Sequence, residues 1–134
     1  MTEAFKYCTS HGLEQESDYS YTGHDDSCAY DKSKVVCQSS GYKTVASNDD
    51  DIKAASATSP LAVSIEADQL SFQFFTGGII TSGCGKNLDH GVTMVGYGTD
   101  PKCDLYAIVK NSWGATWGEQ GYVNICVSND SCGI

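Results

Sequence analysis

The sequence predicts an α+β fold, in which an antiparallel, β-barrel-like lobe carries peripheral helices. Runs rich in β-branched and aromatic residues concentrate in the second half of the chain. Apolar residues at helical spacing open the chain, and an acidic run precedes a second helical segment. The 134 residues contain no internal repeat or low-complexity linker.

Two helices are predicted in the first half of the chain. Apolar spacing places the first at Thr2–Ser10, closed by His11-Gly12. Its apolar face is formed by Met1, Ala4, Phe5 and Cys8. A loop-rich stretch follows to about Ser40. The second helix is predicted at Asp50–Ala57, because acidic residues at its start cap free amides and favour the helix dipole.

Four strands and a helical turn are predicted further along the chain. The strands cover Leu61–Glu66, Val92–Gly98, Tyr106–Asn111 and Tyr122–Val127, and the helical turn lies at Gln69–Phe74. The turn residues Gly98-Thr99-Asp100-Pro101 separate the second and third strands. Antiparallel pairing across that turn places His90 and Asn111 at the same end of a hairpin.

The charge balance excludes two classes of partner. The chain has 8 basic and 17 acidic residues, for a net charge of −9 at pH 7. Such a surface disfavours nucleic acid and anionic membranes, and no run of residues reaches the length of a transmembrane helix. Zinc spacing is absent because no Cys-x-x-Cys occurs. We therefore expect no nucleic acid, membrane, metal or cofactor as a partner.

His90 and Asn111 are candidates for a catalytic base and the group that orients it. An imidazole can take the proton of a thiol nucleophile and return it to a leaving amine. An Asn side-chain oxygen can hold the imidazole in one tautomer without adding charge. His11 and His24 lie in polar, turn-like surroundings and are expected at the solvated surface.

The motifs around these two residues resemble the papain family of cysteine proteases, and its cathepsin L-like branch in particular. They are Asp89-His90-Gly91-Val92, Val95-Gly96-Tyr97-Gly98 and the long tryptophan motif from Lys110 to Tyr122. Weaker matches keep the family order from Ala4-Phe5-Lys6-Tyr7 to Cys132-Gly133-Ile134. The resemblance implies a papain-like fold. In it, residues 1–12 are a helix of the left lobe, about 40–134 form the right β lobe, and the left lobe is mostly missing.

The resemblance also implies roles for residues beside His90. Trp113 would shield the His90–Asn111 contact from water and form a primed-side wall, and Asp89 would modulate the charge of the imidazole. Positions lining the main specificity pocket are matched by Ser64, Leu88 and Gly91. An apolar Leu88 beside small Ser64 and Gly91 implies a roomy pocket. We expect it to take a bulky hydrophobic or aromatic side chain of a peptide or protein substrate.

The family's nucleophile is expected outside these residues. Its Cys-Gly-Ser/Ala-Cys-Trp/Tyr signature lies about 130–150 residues before the His and Asn in this family, and the chain contains no such signature. Cys84, the one cysteine near His90 in sequence, lacks that context. We expect the chain alone to be inactive, with a missing N-terminal lobe or a partner chain covering the open cleft face.

Three functional hypotheses remain open. The chain is a fragment of an active papain-like endopeptidase, a non-catalytic papain-like subunit of a larger assembly, or half of a split protease completed by another chain. Truncation relative to the family favours the second hypothesis. The retained His90, Asn111 and Trp113 argue against it, because a non-catalytic protein has little physical reason to keep a base and its orienter.

Seven cysteines predict disulfides formed in an oxidising compartment. By resemblance, Cys84 pairs with Cys132, and Cys28 would bridge to a missing N-terminal segment. Cys103 and Cys126 flank two strands that should pair, so a bridge between them is predicted as well. Cys8 and Cys37 stay unassigned, and the alternative for all seven is free thiols in a reducing compartment. Family and cysteine usage point to a lysosomal, vacuolar or extracellular location.

Overall fold

The computed structural model describes all residues from Met1 to Ile134 and divides into two compact units, Met1–Thr44 and Val45–Ile134. The first unit contains helix α1 (Thr2–Ser10) and a 3₁₀ turn at Lys32–Lys34. The second unit contains two further helices, five strands and a final 3₁₀ segment at Ser131–Gly133. None of the helices has the length and apolar character that a bilayer span requires.

The first unit is organised around the end of α1, whose predicted bounds are confirmed. Gly12 adopts φ +82°, and a side chain there would collide with Val35 and with the carbonyl oxygen of Cys37. Glycine therefore permits the close turn that lets Leu13 pair with Cys37. The helix buries none of its residues. Its predicted apolar face makes a ring contact between Phe5 and Tyr42, with centroids 5.8 Å apart.

The second unit begins with helix α2 (Asp49–Ser56), one residue earlier than predicted at each end. The side chain of Asn48 accepts a hydrogen bond from the Asp51 N–H and caps the helix, so the acidic run forms its first turn. The predicted helical turn is the short helix α3 (Leu70–Gln73).

Five strands form one sheet in the order β1-β3-β4-β5-β2. Their bounds are β1 Leu61–Ile65, β2 Ile79–Ile80, β3 His90–Asp100, β4 Cys103–Lys110 and β5 Tyr122–Cys126. All pairings are antiparallel except the short one between β2 and β5. The four predicted strands are observed with shifted bounds. The two-residue β2 was missed because so short an edge strand shows no alternation of apolar and polar residues in the sequence.

The hairpin of β3 and β4 is longer than predicted. The prediction ended β3 at Gly98 and began β4 at Tyr106, whereas the ladder continues to the pair Asp100–Cys103. The connection is therefore just Pro101-Lys102, and glycine and threonine lie within the strand. Gly98 is needed there because a side chain would occupy the space of the Tyr106 ring.

The hydrophobic core lies against one face of this sheet. Along β4, Cys103, Leu105, Ala107 and Val109 are buried at every second position. The largest fully buried side chains include Phe72, Ile65, Met94, Ile125, Val109 and Val123. Phe72 shows how α3 is anchored, since its ring inserts into this core.

Two disulfides cross-link the second unit, Cys84–Cys132 and Cys103–Cys126. Their sequence separations are 48 and 23 residues. In the chain-entropy view, a cross-link stabilises the fold by restricting the unfolded chain, and more so for the longer loop.

We predict that replacing both Cys84 and Cys132 by alanine lowers the free energy of unfolding by about 2–4 kcal/mol in urea titration. Replacing Cys103 and Cys126 by alanine should lower the free energy of unfolding by ~0.7 kcal/mol less. The difference follows because the entropic stabilisation grows with the logarithm of the length of the closed loop. An equal or larger loss for the shorter loop would contradict the entropic account.

Candidate active site

The β3–β4 hairpin brings the predicted base and orienter together. Strand β3 begins at His90, and β4 ends at Lys110, one residue before Asn111. Thr93 pairs with Lys110, so the two functional residues lie at the same end of the ladder. The Asn111 N–H donates to the carbonyl of Gly121 at 3.0 Å, which holds this end in place.

The side chains of His90 and Asn111 are hydrogen-bonded, with 2.9 Å between Nε2 and Oδ1. Oδ1 also accepts the backbone N–H of Ser112 at 2.8 Å. A backbone N–H can only donate, so the Asn111 atom that receives it must be the oxygen. The imidazole must then carry its proton on Nε2, which leaves Nδ1 of the neutral ring free to accept a proton.

Trp113 lies over the imidazole. Its ring stacks on that of His90 with centroids 5.5 Å apart and planes 29° from parallel. The Trp113 ring also packs edge-on against the rings of Phe72 and Trp117, with centroid separations of 5.4 and 5.2 Å. Phe72 and Trp117 thus hold the indole in place, and the indole itself is 40% exposed. Asn111 is 8% exposed, and a hydrogen bond removed from water is stronger than one open to it.

The amide nitrogen of Asn111 is buried without a hydrogen-bond partner. An unsatisfied buried donor costs about 1–3 kcal/mol. The cost is tolerated at a residue whose oxygen receives two N–H donors and is held by the strand end. An aspartate here would exchange this orphan donor for an orphan acceptor and add a negative charge beside the imidazole.

Two of the three residues predicted to line a specificity pocket are adjacent in the sheet. Ser64 of β1 pairs directly with Gly91 of β3. No atom lies within 4 Å of the position a Cβ would take at Gly91, so the space above it is open. Leu88, in the loop before β3, is 54% exposed, and its Cδ2 lies 2.8 Å from the position that a Cβ would take at Gly133.

Asp89 is directed toward the backbone. Its Oδ1 accepts the Ala67 N–H at 2.8 Å, and its own N–H donates to the Ile65 carbonyl at 3.1 Å. This contact organises the loop before His90, a role that the sequence did not suggest. A neighbouring residue, Glu66, was also missed. It is a carboxylate 5% exposed that follows directly on β1, and a strand-end acid is too common a pattern to be singled out.

The cysteines divide between the two units. All four cysteines of Val45–Ile134 are paired, as Cys84–Cys132 and Cys103–Cys126, whereas Cys8, Cys28 and Cys37 of the first unit are free. No thiol therefore accompanies His90 within its own unit. No group of three or more His, Cys, Asp or Glu side chains converges as a metal ion would need.

The pairing of His90 with Asn111 under a tryptophan, on a sheet of this topology, defines a class of protein. The family model of papain family cysteine proteases matches residues 1–134. The chain therefore belongs to the papain family of cysteine proteases.

Individual relatives point to the cathepsin L-like branch. Cathepsin L of Sarcophaga peregrina is 41% identical over 140 residues, covering all of this chain and 41% of that protein. A cathepsin L-like protein of Caenorhabditis elegans is 42% identical, again over all of this chain and 42% of its own length. The chain thus spans about two fifths of the length of the relatives it matches.

A solved structure supports the fold. The cysteine protease CMS1MS2 of Carica candamarcensis, in complex with E-64, superposes with a TM-score of 0.82 at 33% identity. The match covers 92% of this chain and 57% of that one. The predicted fold class, α+β and papain-like, is confirmed.

We predict that Asn111→Ala releases the imidazole from its single tautomer. In ¹⁵N NMR of neutral His90, the native chain should show one signal pair, with the proton on Nε2. The variant should show averaged shifts of two tautomers, because Nε2–H has lost its acceptor. Asn124→Ala, on β5, removes a distant Asn and should leave the spectrum of His90 unchanged. A native spectrum with the proton on Nδ1 would contradict the assignment.

Proposed function

We propose that this chain supplies the base, the orienter and part of the substrate cleft of a papain-like cysteine peptidase. The observation that carries the proposal is the hydrogen bond from His90 Nε2–H to Asn111 Oδ1, which leaves Nδ1 free. That nitrogen takes the proton of a thiol, and the thiolate attacks a peptide carbonyl. The resulting imidazolium returns the proton to the departing amine.

We assign the nucleophile to a segment outside residues 1–134. Support comes from the cysteines, since the four in the unit of His90 are all in disulfides. Of the free thiols, Cys8 lies in the second half of α1, away from the helix N-terminus that would favour a thiolate. In this proposal Val45–Ile134 is the right lobe, residues 1–12 belong to the left lobe, and the chain alone is inactive.

The proposal includes a compartment and a partner. The two disulfides favour an oxidising setting, so we place the protein in a lysosome, a vacuole or outside the cell. The partner surface is the remainder of the left lobe, carried by the same polypeptide or by another chain. The substrate is a peptide or protein.

Labelling by an epoxide-type thiol trap tests the division of the site. The 134-residue chain should show no His90-dependent labelling. Fused behind the nucleophile-bearing segment of Sarcophaga cathepsin L, it should be labelled and should hydrolyse peptides. His90→Ala in that fusion should reduce hydrolysis by at least ~10²-fold, the usual contribution of a general base.

The control for this experiment is the Sarcophaga protein reassembled from its own two segments. If that control is active and the folded fusion is not, the peptidase proposal fails for this chain. If the chain alone is labelled at a rate that depends on His90, the nucleophile lies within it and the division of the site is wrong.

We further predict a preference for bulky hydrophobic or aromatic side chains at the substrate residue preceding the one that provides the scissile carbonyl. A roomy apolar pocket bounded by Leu88, Ser64 and Gly91 should favour them by about tenfold or more in kcat/KM over small side chains. Leu88→Glu should shift the preference toward Lys and Arg in a peptide library cleaved by the active fusion. A basic preference in the unsubstituted fusion would contradict this pocket assignment.

A further inference from the structure

Glu66 is a buried carboxylate without a cationic partner. It is 5% exposed, and the two ion pairs of the structure involve Lys6 with Glu3 and Lys86 with Asp130. Burying a carboxylate is costly unless hydrogen bonds replace its water. The donors that Glu66 recruits therefore show what this side chain holds in place.

Those donors come from two directions. Oε2 accepts the backbone N–H of Asn87 at 2.7 Å, and Oε1 accepts the side-chain Nε2 of Gln69 at 2.8 Å. The N–H of Glu66 itself donates to the Cys132 carbonyl at 2.8 Å. Glu66 thus ties the end of β1 to the loop before His90 and to the disulfide-bonded end of the chain.

A second carboxylate completes the connection in the opposite direction. Asp89, two residues after Asn87, accepts the N–H of Ala67, the residue after Glu66. Each of the two segments Ile65–Ala67 and Asn87–Asp89 therefore donates a backbone N–H to a carboxylate of the other, an arrangement called here the carboxylate clasp. Leu88 lies between its two anchored residues, so its backbone is held on both sides.

Gly85 supplies independent evidence that the position of this carboxylate matters. A Cβ at residue 85 would overlap both carboxylate oxygens of Glu66. Gly85 carries no positive φ, so its backbone does not itself require glycine. Glycine at this position leaves the room that the carboxylate of Glu66 fills.

We propose that Glu66 is a positioning residue, which fixes Leu88 as a wall of the substrate pocket through the carboxylate clasp. The role of Leu88 as a substrate-pocket wall rests on the proposed peptidase function. The hydrogen bonds through which Glu66 holds the loop do not depend on that function. Glu66 makes no hydrogen bond to His90 or Asn111. Losing it should loosen the pocket wall and leave the catalytic pair as it is.

Amide hydrogen exchange in the 134-residue chain tests the structural part. Glu66→Ala should accelerate exchange at Ala67 and Asp89 by roughly ten- to a hundredfold, since each local hydrogen bond is worth about that factor. Neither N–H donates to the Glu66 carboxylate, so a change in their exchange reports the whole clasp. The Nε2–H signature of His90 should be unchanged. Asp104→Asn, which removes an exposed carboxylate of β4 outside the clasp, is the matched control and should change neither.

Two further variants distinguish the position of the Glu66 carboxylate from its charge and from a general loss of stability. Glu66→Gln keeps an oxygen for Asn87 N–H and should retain native protection at Ala67 and Asp89. Gly85→Ala keeps Glu66 but displaces its carboxylate, and should reproduce the loss seen in Glu66→Ala. Exchange in Glu66→Gln as fast as in Glu66→Ala would overturn the proposal, as would unchanged protection in both Glu66→Ala and Gly85→Ala. Uniformly faster exchange across the second unit would also overturn it.

Kinetics of the active fusion tests the pocket. Glu66→Ala should raise KM several-fold for a substrate with a bulky apolar side chain in the pocket while kcat stays within about twofold, the pattern of lost uniform binding. A fall in kcat with KM unchanged would show that Glu66 serves the catalytic pair instead, and would sink the proposal. If the unsubstituted fusion is inactive, the peptidase proposal fails while the exchange results still decide the role of Glu66.

Discussion

The register between β3 and β4 is the constraint on which the site depends. Side chains alternate between the two faces of a strand, so a slip of one residue would transfer the whole pattern to the opposite face. The pair Thr93–Lys110 places His90 and Asn111 at one end of the hairpin. A slip of β4 by one residue is unfavourable because it would expose the buried side chains of Leu105, Ala107 and Val109. The geometry of the His90–Asn111 pair is therefore secured by core residues that lie outside the candidate site.

Much of this arrangement was readable from the chain itself. The glycine- and proline-containing turn and two β-rich runs were enough to place His90 and Asn111 at the same end of a hairpin. The family motifs extended the reading to the fold class. Bounds were less accurate, because whether Thr99 and Asp100 belong to a strand or a turn depends on pairing across the ladder, which local residue preferences do not encode.

The interactions that position the site were harder to foresee. Asp89 and Glu66 are ordinary acidic residues in the sequence, and their function depends on which amides lie opposite once β1 and the loop before β3 meet. The same holds for Phe72, whose ring supports Trp113 from a helix of four residues. Contacts of this kind are long-range in sequence and leave no periodic pattern. The sequence could indicate the chemical groups of the site, but not the supports that orient them.

Leu88 has a side chain that is largely exposed and a backbone that is held at both neighbouring residues. A position of this kind can change its side chain at little cost to the fold, because few core contacts depend on it. If Leu88 walls the proposed pocket, its substitution alters which peptides fit and leaves the hydrogen bond between His90 and Asn111 in place. In the proposed peptidase, the loop is therefore a position at which specificity can change by single substitutions while the fold and the His90–Asn111 pair are kept.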